Sequence, residues 1–338
     1  MNSPMRATVE ALLAPGKGIL AADESAPTIE KRFKSVNTPS TEENRRAYRE
    51  LLFATPGLSS FISGGILFDE TIRQKTSTGI PFAQFLDRQG IIPGIKVDKG
   101  TIPLPRFEGE TITQGLDGLR ERLVEYRGLG ARFTKWRATI AIGNTIPTRA
   151  GLETNATTLA LFAAMSQEAG LVPIVEPEIL MKGPHTLARA EEAASLTLEC
   201  VFAALSQYRV VLEDMILKTG MVLSGDKCPD QAAVAAVTEA TLRCFRRILP
   251  PALPGIMFLS GGQGDVEATQ RLQGLYSAGP RPWIFSISFG RALQAPALKA
   301  WSGQPGNVAA AQKALHHRAQ CNSLALLGKY SAAAENHG

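Results

Sequence analysis

The chain has 338 residues, 44% of them hydrophobic and 20% charged, and Lys plus Arg exceed Asp plus Glu by 36 − 31 = 5. That balance excludes a disordered chain, and no run of 18 or more apolar residues reaches the length of a membrane-spanning helix. The basic excess is dispersed, with no basic run longer than two, which argues against a nucleic-acid surface and suits a small anionic substrate.

The length admits one large α/β barrel or two ordinary domains. The first residues, Met1–Arg6, are followed by a mixed segment without the apolar core of a signal peptide, so a cytoplasmic location is expected. A helix is expected over Val9–Leu13. Eight apolar runs of strand length then follow: Gly18–Ser25, Gly64–Glu70, Gly94–Lys99, Arg132–Ile140, Val172–Leu180, Val210–Lys218, Gly255–Ser260 and Trp283–Phe289. Helical periodicity fills the gaps at Thr41–Ala54, Thr113–Leu129, Leu152–Ala169, Leu187–Gln207, Ala232–Leu249, Asp265–Tyr276 and Ala292–Ala300. Ser40-Thr41-Glu42-Glu43 suits a capping box at the start of the first of these. A further helix is expected over Gly306–Leu327. Residues 1–328 then form one domain, and the small, polar Lys329–Gly338 reads as a mobile tail. An eightfold strand–helix alternation predicts a (β/α)8 barrel.

Catalytic groups of such barrels gather at the C-terminal ends of the strands. Charges fall there in this chain. The first strand ends in Asp23-Glu24-Ser25, the third carries Lys96, Asp98 and Lys99, the fourth Lys135 and Arg137, and the fifth Glu176 and Glu178. The sixth ends at Lys218, the seventh at Ser260-Gly261-Gly262 and the eighth at Ser288-Phe289-Gly290-Arg291. Lys96 and Asp98, Lys135 and Arg137, and Glu176 and Glu178 are each two apart, so each pair shares a strand face. A barrel interior holds such ions only when they pair, because an isolated buried charge is costly. Structural ion pairs bracing the barrel mouth are the plain alternative to a functional site.

Several lysines, several carboxylates and few histidines select a chemistry. A lysine near other cations in an apolar setting loses its proton readily and becomes a nucleophilic amine. Such an amine forms a Schiff base with a ketone or aldehyde, and a nearby carboxylate moves the protons. Position leaves Lys96, Lys135 and Lys218 open as the nucleophile. Lys218 is the most attractive, being the one basic group on a mostly apolar run. Ser260-Gly261-Gly262 and Gly290-Arg291, each followed by a helix, suit phosphate: glycine lets the backbone approach the anion and the guanidinium donates to it.

Other chemistries fail on spacing. The G-x-x-x-x-G-K-[ST] loop is absent, since Ala11 stands six residues before Lys17, and Phe258 stands where G-x-S-x-G needs glycine. His185, His316, His317 and His337 lie in no H-E-x-x-H pattern and read as surface or helix-face residues. Cys200, Cys228, Cys244 and Cys321 form no C-x-x-C pair. Cys200 and Cys244 lie in helical patterns and read as core thiols of a reduced compartment.

Taken in order, GKGILAADES (Gly16–Ser25), TEENRR (Thr41–Arg46), GIKVDKG (Gly94–Gly100), TQGLDGL (Thr113–Leu119), KWR (Lys135–Arg137), IVEPEIL (Ile174–Leu180), Leu217-Lys218, FLSGGQ (Phe258–Gln263) and GRALQAPALKAW (Gly290–Trp301) carry a resemblance. From about Gly16 to about Tyr330 the chain resembles class I fructose-bisphosphate aldolase, the Schiff-base, metal-independent family of the animal and plant type. The resemblance implies a (β/α)8 homotetramer with no cofactor, acting on fructose 1,6-bisphosphate and triose phosphates. It implies Lys218 as the Schiff-base lysine, Glu176 as the proton shuttle, Glu178 as a supporting carboxylate, Asp23 as the partner of the C4 hydroxyl and Lys135 between them. It places Lys96, Ser25, Thr28 and Arg32 at the 6-phosphate end or the adjoining substrate surface and Ser260, Gly261, Gly290 and Arg291 at the 1-phosphate site, with Gly262, Ser288 and Arg137 also expected to bind substrate or phosphate.

Four features depart from the family pattern. Thr219-Gly220 stand where Pro-Asn is common, Leu223–Gln231 differs, and Phe289 replaces a tyrosine. The last tyrosine is Tyr330, where relatives often carry a terminal one that assists enamine protonation. Slower proton exchange on the enamine is expected, with the preference for the bisphosphate in question. The rival readings are a Schiff-base aldolase for fructose 1-phosphate or sedoheptulose 1,7-bisphosphate, and a barrel scaffold that engages acidic protein surfaces.

Overall fold

A computed structural model describes residues 3–337. Eight parallel strands close a barrel in the order β1 (Gly18–Ala21), β2 (Ile62–Leu67), β3 (Ile92–Lys96), β6 (Phe133–Ile140), β7 (Val172–Ile179), β8 (Ile216–Thr219), β9 (Gly255–Phe258) and β10 (Ile284–Phe289), and β10 pairs back to β1. A small antiparallel hairpin, β4 (Thr101–Pro103) with β5 (Thr111–Thr113), is inserted between β3 and β6. The helices are α1 (Pro4–Leu12), α2 (Ala26–Lys34), α3 (Glu42–Phe53), α4 (Asp69–Arg73), α5 (Phe82–Arg88), α6 (Leu119–Gly128), α7 (Arg149–Glu168), α8 (Leu187–Gln207), α9 (Val234–Ile248), α10 (Asp265–Ser277), α11 (Arg291–Trp301) and α12 (Val308–Leu326). This is the (β/α)8 barrel that the alternation predicts.

The interior is layered by period two. Phe133, Ile174, Ile216 and Met257 join Ile19, Ile66 and Ile92 in one buried cluster, and Val9, Leu12 and Leu13 from α1 and its C-cap complete it. The helix α1 therefore plugs the N-terminal end of the barrel. A Cβ at Gly94 would lie 2.3 Å from the ring of Phe133, so only glycine leaves that ring room to fill the plug. Truncating Phe133 to alanine would cost about 3–5 kcal/mol as transfer free energy plus cavity. Two residues further along each strand the same interior face turns polar: Lys135 follows Phe133, Glu176 follows Ile174 and Lys218 follows Ile216. The apolar plug thus forms the floor of a charged cup.

Several expectations are corrected. The run Val210–Lys218 is a strand only from Ile216. Leu212–Asp214 forms a 3-10 turn, with Asp214 accepting from Ser3 and Arg6. The first strand stops at Ala21, so Asp23-Glu24-Ser25 lie beyond it. The helical run from Thr113 starts only at Leu119, because Gly115 and Gly118 hold positive φ and interrupt it. Thr41 alone caps α3, through Asn44 N at 3.1 Å; Glu43 pairs with Arg46 instead of closing a box. The short helices α2, α4 and α5 and the hairpin went unseen, their periodic runs being too brief to stand out.

The segment Lys329–Gly338, expected to be mobile, is docked over its described part. Ala332–His337 is a 3-10 turn, Tyr330 is buried, and the Tyr330 hydroxyl donates to Glu335 Oε1 at 2.7 Å. Arg318 of α12 pairs with the same carboxylate.

Candidate active site

The strands deliver their charges into one cleft of about 1030 Å³ at the C-terminal mouth of the barrel. Asp23, Ser25, Thr28, Arg32, Lys96, Lys135, Arg137, Glu176, Glu178, Lys218, Ser260, Gly261, Ser288, Gly290 and Arg291 all line it. Gly262 does not. It faces Met181 behind the cleft, where an added Cβ would sit 3.1 Å from the sulfur.

The centre is a chain of alternating charges. Lys218 Nζ lies 3.0 Å from Glu176 Oε1, and Lys135 Nζ lies 2.8 Å from Glu176 Oε2 and 2.9 Å from Asp23 Oδ2. One step higher on the same faces, Arg137 pairs with Glu178. Lys96 is drawn down onto Asp98, donating to its carboxylate at 2.5 Å and its carbonyl at 2.9 Å. Asp98 also accepts from the Gly100 and Arg137 amides, so it fixes where Lys96 can reach.

Burial sets the protonation states. Taking Lys218 out of water pulls its pKa below the usual lysine range; Glu176 opposes that and the Lys135 cation reinforces it. Burial acts the same way on Lys135, but Asp23 and Glu176 outweigh it and hold Lys135 firmly charged. Burial alone would raise the carboxyls of Asp23 and Glu176; in both, Lys135 and then Lys218 win and hold them below the ordinary range. The cup therefore keeps one lysine as a permanent cation and makes its neighbour the amine that gives up its proton.

The two rims differ. On one, β1 passes into α2, and Ser25, its N-cap residue, lies with its hydroxyl 3.1 Å from that of Thr28. Arg32 stands one turn on and pairs with Glu24. On the other, Arg291 opens α11 and donates to the Gly261 carbonyl at 2.8 Å. The buried Ser288 hydroxyl has no protein partner and lines the cleft. Hydroxyls and a guanidinium on each rim are suited to anions across the cup.

A second layer had no weight in the sequence reading. The Gln294 side chain donates to the Ala21 carbonyl at 2.6 Å and to Glu24 Oε1 at 2.8 Å, and accepts from the Tyr48 hydroxyl at 3.1 Å. Buried Arg49 donates to the Glu24 carbonyl at 2.7 Å. These bonds pin the turn that carries Asp23 and Ser25. The available signal was Arg49 itself, an arginine set among the apolar positions Tyr48, Leu51 and Leu52.

A closed barrel whose mouth holds a deprotonatable buried lysine, proton-moving carboxylates and two anion sites defines an enzyme that works on a phosphorylated carbonyl compound through a covalent imine. Comparison with known proteins fits that class. The profile described as fructose-bisphosphate aldolase class-I matches residues 4–338. The chain is 55% identical over 324 residues to a probable fructose-bisphosphate aldolase class 1 of Xanthomonas campestris pv. campestris, covering 96% of this chain and 97% of that one. It is 51% identical to the fructose-bisphosphate aldolase of Dictyostelium discoideum, covering 96% and 92%. A crystal structure of fructose-bisphosphate aldolase from Plasmodium falciparum, in complex with TRAP and a small-molecule inhibitor, superposes with a TM-score of 0.95 at 46% identity, covering 98% and 99%. The chain belongs to the class-I fructose-bisphosphate aldolase family. Its members are metal-independent lyases of glycolysis that work through a lysine Schiff base.

Proposed function

We propose that this chain reversibly cleaves fructose 1,6-bisphosphate to dihydroxyacetone phosphate and glyceraldehyde 3-phosphate, with Lys218 as the Schiff-base lysine. The carrying observation is Lys218 Nζ 3.0 Å from Glu176 Oε1 at the floor of a cleft with an anion site at each end. Lys218 passes its proton to Glu176, and the neutral amine adds to the C2 ketone, its own proton moving to the oxygen. Glu176, within hydrogen-bond reach, returns the proton to the departing hydroxyl, and water leaves as the iminium forms. Asp23 takes the C4 hydroxyl proton, the C3–C4 electron pair moves into the iminium, and the aldehyde departs, leaving an enamine on Lys218. Protonation at C3 and hydrolysis release dihydroxyacetone phosphate. Lys135 keeps Asp23 and Glu176 ionised between steps, and Glu178 holds Arg137 at the mouth.

Ser25, Thr28, Arg32 and Lys96 take the 6-phosphate; Ser260, Gly261, Ser288, Gly290 and Arg291 take the 1-phosphate. Anchoring both ends holds the reacting carbons in place, so binding energy remote from the bond lowers its barrier. No cofactor takes part in this scheme. The assembly is a cytoplasmic homotetramer, which sedimentation of the purified chain tests. Release of both triose phosphates from the bisphosphate in excess EDTA, lost in Lys218→Met, tests the activity. The two-ended cleft favours the bisphosphate over fructose 1-phosphate, which has no group for the Ser25 rim.

A further inference from the structure

Far from the cleft, the docked tail brings three unlike donor atoms together. His317 and Cys321 stand four residues apart on one face of α12, and Glu335 arrives from the terminal 3-10 turn. His317 Nε2 lies 3.7 Å from Cys321 Sγ and 3.8 Å from Glu335 Oε2, and all three ligand atoms fall within 4.8 Å of one another. Among the described residues this is the one such grouping of three.

We propose that His317, Cys321 and Glu335 form a binding site for a zinc-class divalent ion that clasps the C-terminal segment onto α12. Nitrogen, sulfur and oxygen donors together suit Zn²⁺ better than Mg²⁺ or Ca²⁺, which take oxygen. Zn–S near 2.3 Å and Zn–N near 2.0 Å make the S–N edge of a tetrahedron about 3.5 Å, and two bonds near 2.1 Å make the N–O edge about 3.4 Å. The observed 3.7 and 3.8 Å need a few tenths of an ångström of closure, and the Cys321–Glu335 edge, within 4.8 Å, closes by up to about 1 Å as the Glu335 carboxylate swings in.

The surroundings support the ligands. Tyr330 donates to the other oxygen of Glu335, at 2.7 Å, which orients the carboxylate. Arg318 pairs with Oε2, the same oxygen that faces His317, so an ion shares that oxygen with the guanidinium, which is itself fixed by Thr269 Oγ1 at 2.6 Å. Cys321 is buried, while the His317 and Glu335 side chains are 16% and 21% exposed, so an ion enters from the solvent side with water as the fourth ligand. Binding replaces the thiol proton: Cys–SH plus Zn²⁺ gives Cys–S–Zn⁺ plus H⁺ released to solvent. Thiolate and carboxylate together balance the two charges of the ion. The Arg318 cation beside them weakens the site, making it a reversible clasp rather than a permanent structural zinc.

The test uses the full, tag-free chain, stripped with EDTA and dialysed. Co²⁺ is added and the thiolate-to-cobalt charge-transfer band in the near ultraviolet is followed, with Zn²⁺ as competitor. The proposal predicts a one-to-one band that Zn²⁺ abolishes, loss of the band in Cys321→Ser, and at least about tenfold weaker binding in His317→Gln and Glu335→Gln. Zn²⁺ should also slow tryptic cleavage after exposed Lys329 several-fold in the wild type and not in His317→Gln. A band that persists in Cys321→Ser, or no cobalt binding in the wild type, overturns the proposal. His317→Gln sits on the partly exposed rim and keeps the test decisive if Cys321→Ser misfolds. Fructose bisphosphate cleavage reads the catalytic assignment separately, and neither result bears on the other.

Discussion

Lys135 and Lys218 hold opposite oxygens of one carboxylate, Glu176, at 2.8 and 3.0 Å, yet their protons are held oppositely. Lys135 has Asp23 as a second carboxylate and keeps its proton; Lys218 has none as close and loses its proton more readily. One shared anion thus lies between a lasting cation and an amine that gives up its proton more readily.

Lys218→Met removes the proposed nucleophile and leaves the apolar floor intact. Cleavage should fall by about four orders of magnitude or more, with far-ultraviolet circular dichroism unchanged. Residual turnover within tenfold of wild type would move the nucleophile elsewhere.

The pH dependence carries a sign. The Schiff base needs Lys218 unprotonated, so kcat/KM rises with pH through its lowered pKa, below the ordinary lysine range. The Lys135 cation helps to lower it. Lys135→Met should therefore move that rise to higher pH while cutting kcat by about a hundredfold, through lost electrostatic support of Asp23 and Glu176. A rise displaced to lower pH would contradict the charge chain. Initial rates from pH 5 to 10 decide it.

The two anion rims make separable claims. Ser25→Ala/Thr28→Ala deletes the hydroxyls on one rim, and Ser25 makes no side-chain capping bond that its loss would break. KM for fructose 1,6-bisphosphate should rise about tenfold, as expected for lost hydrogen bonds to a charged group. Turnover of fructose 1-phosphate should hold within about twofold. Arg291→Ala should raise KM for both substrates, because both carry the 1-phosphate.

Tyr330 is buried against Glu335 and does not line the cleft. Deleting Tyr330–Gly338 should leave proton exchange at C3 of dihydroxyacetone phosphate unchanged within about twofold, a difference near the few-tenths kcal/mol scale of RT ln 2. Tritium release from labelled substrate measures it, and a large loss would give the tail a part in enamine protonation.

Much of this was legible because barrel strands write two messages at period two. Phe133-Lys135-Arg137 and Ile174-Glu176-Glu178 each spell an apolar floor and a charged mouth. Fifteen of the sixteen site residues expected from sequence line the cleft; Gly262 lies behind it against Met181, a placement not readable from a glycine, which carries no side-chain direction. The strand boundary at Val210 was illegible because a mostly apolar run does not reveal the 3-10 turn over Leu212–Asp214, whose Asp214 is held by Ser3 and Arg6, distant in sequence. Gln294 and Arg49 escaped because their bonds run to backbone carbonyls of Ala21 and Glu24, distant in sequence. The docking of the tail rests on Glu335 meeting Arg318 and Tyr330, a contact no local pattern encodes.

The central claim is the imine on Lys218. Borohydride trapping with dihydroxyacetone phosphate in excess EDTA, followed by peptide mass mapping, tests it most directly. The account predicts one stable adduct, on Lys218. No adduct, or one on Lys96 or Lys135 instead, would contradict it.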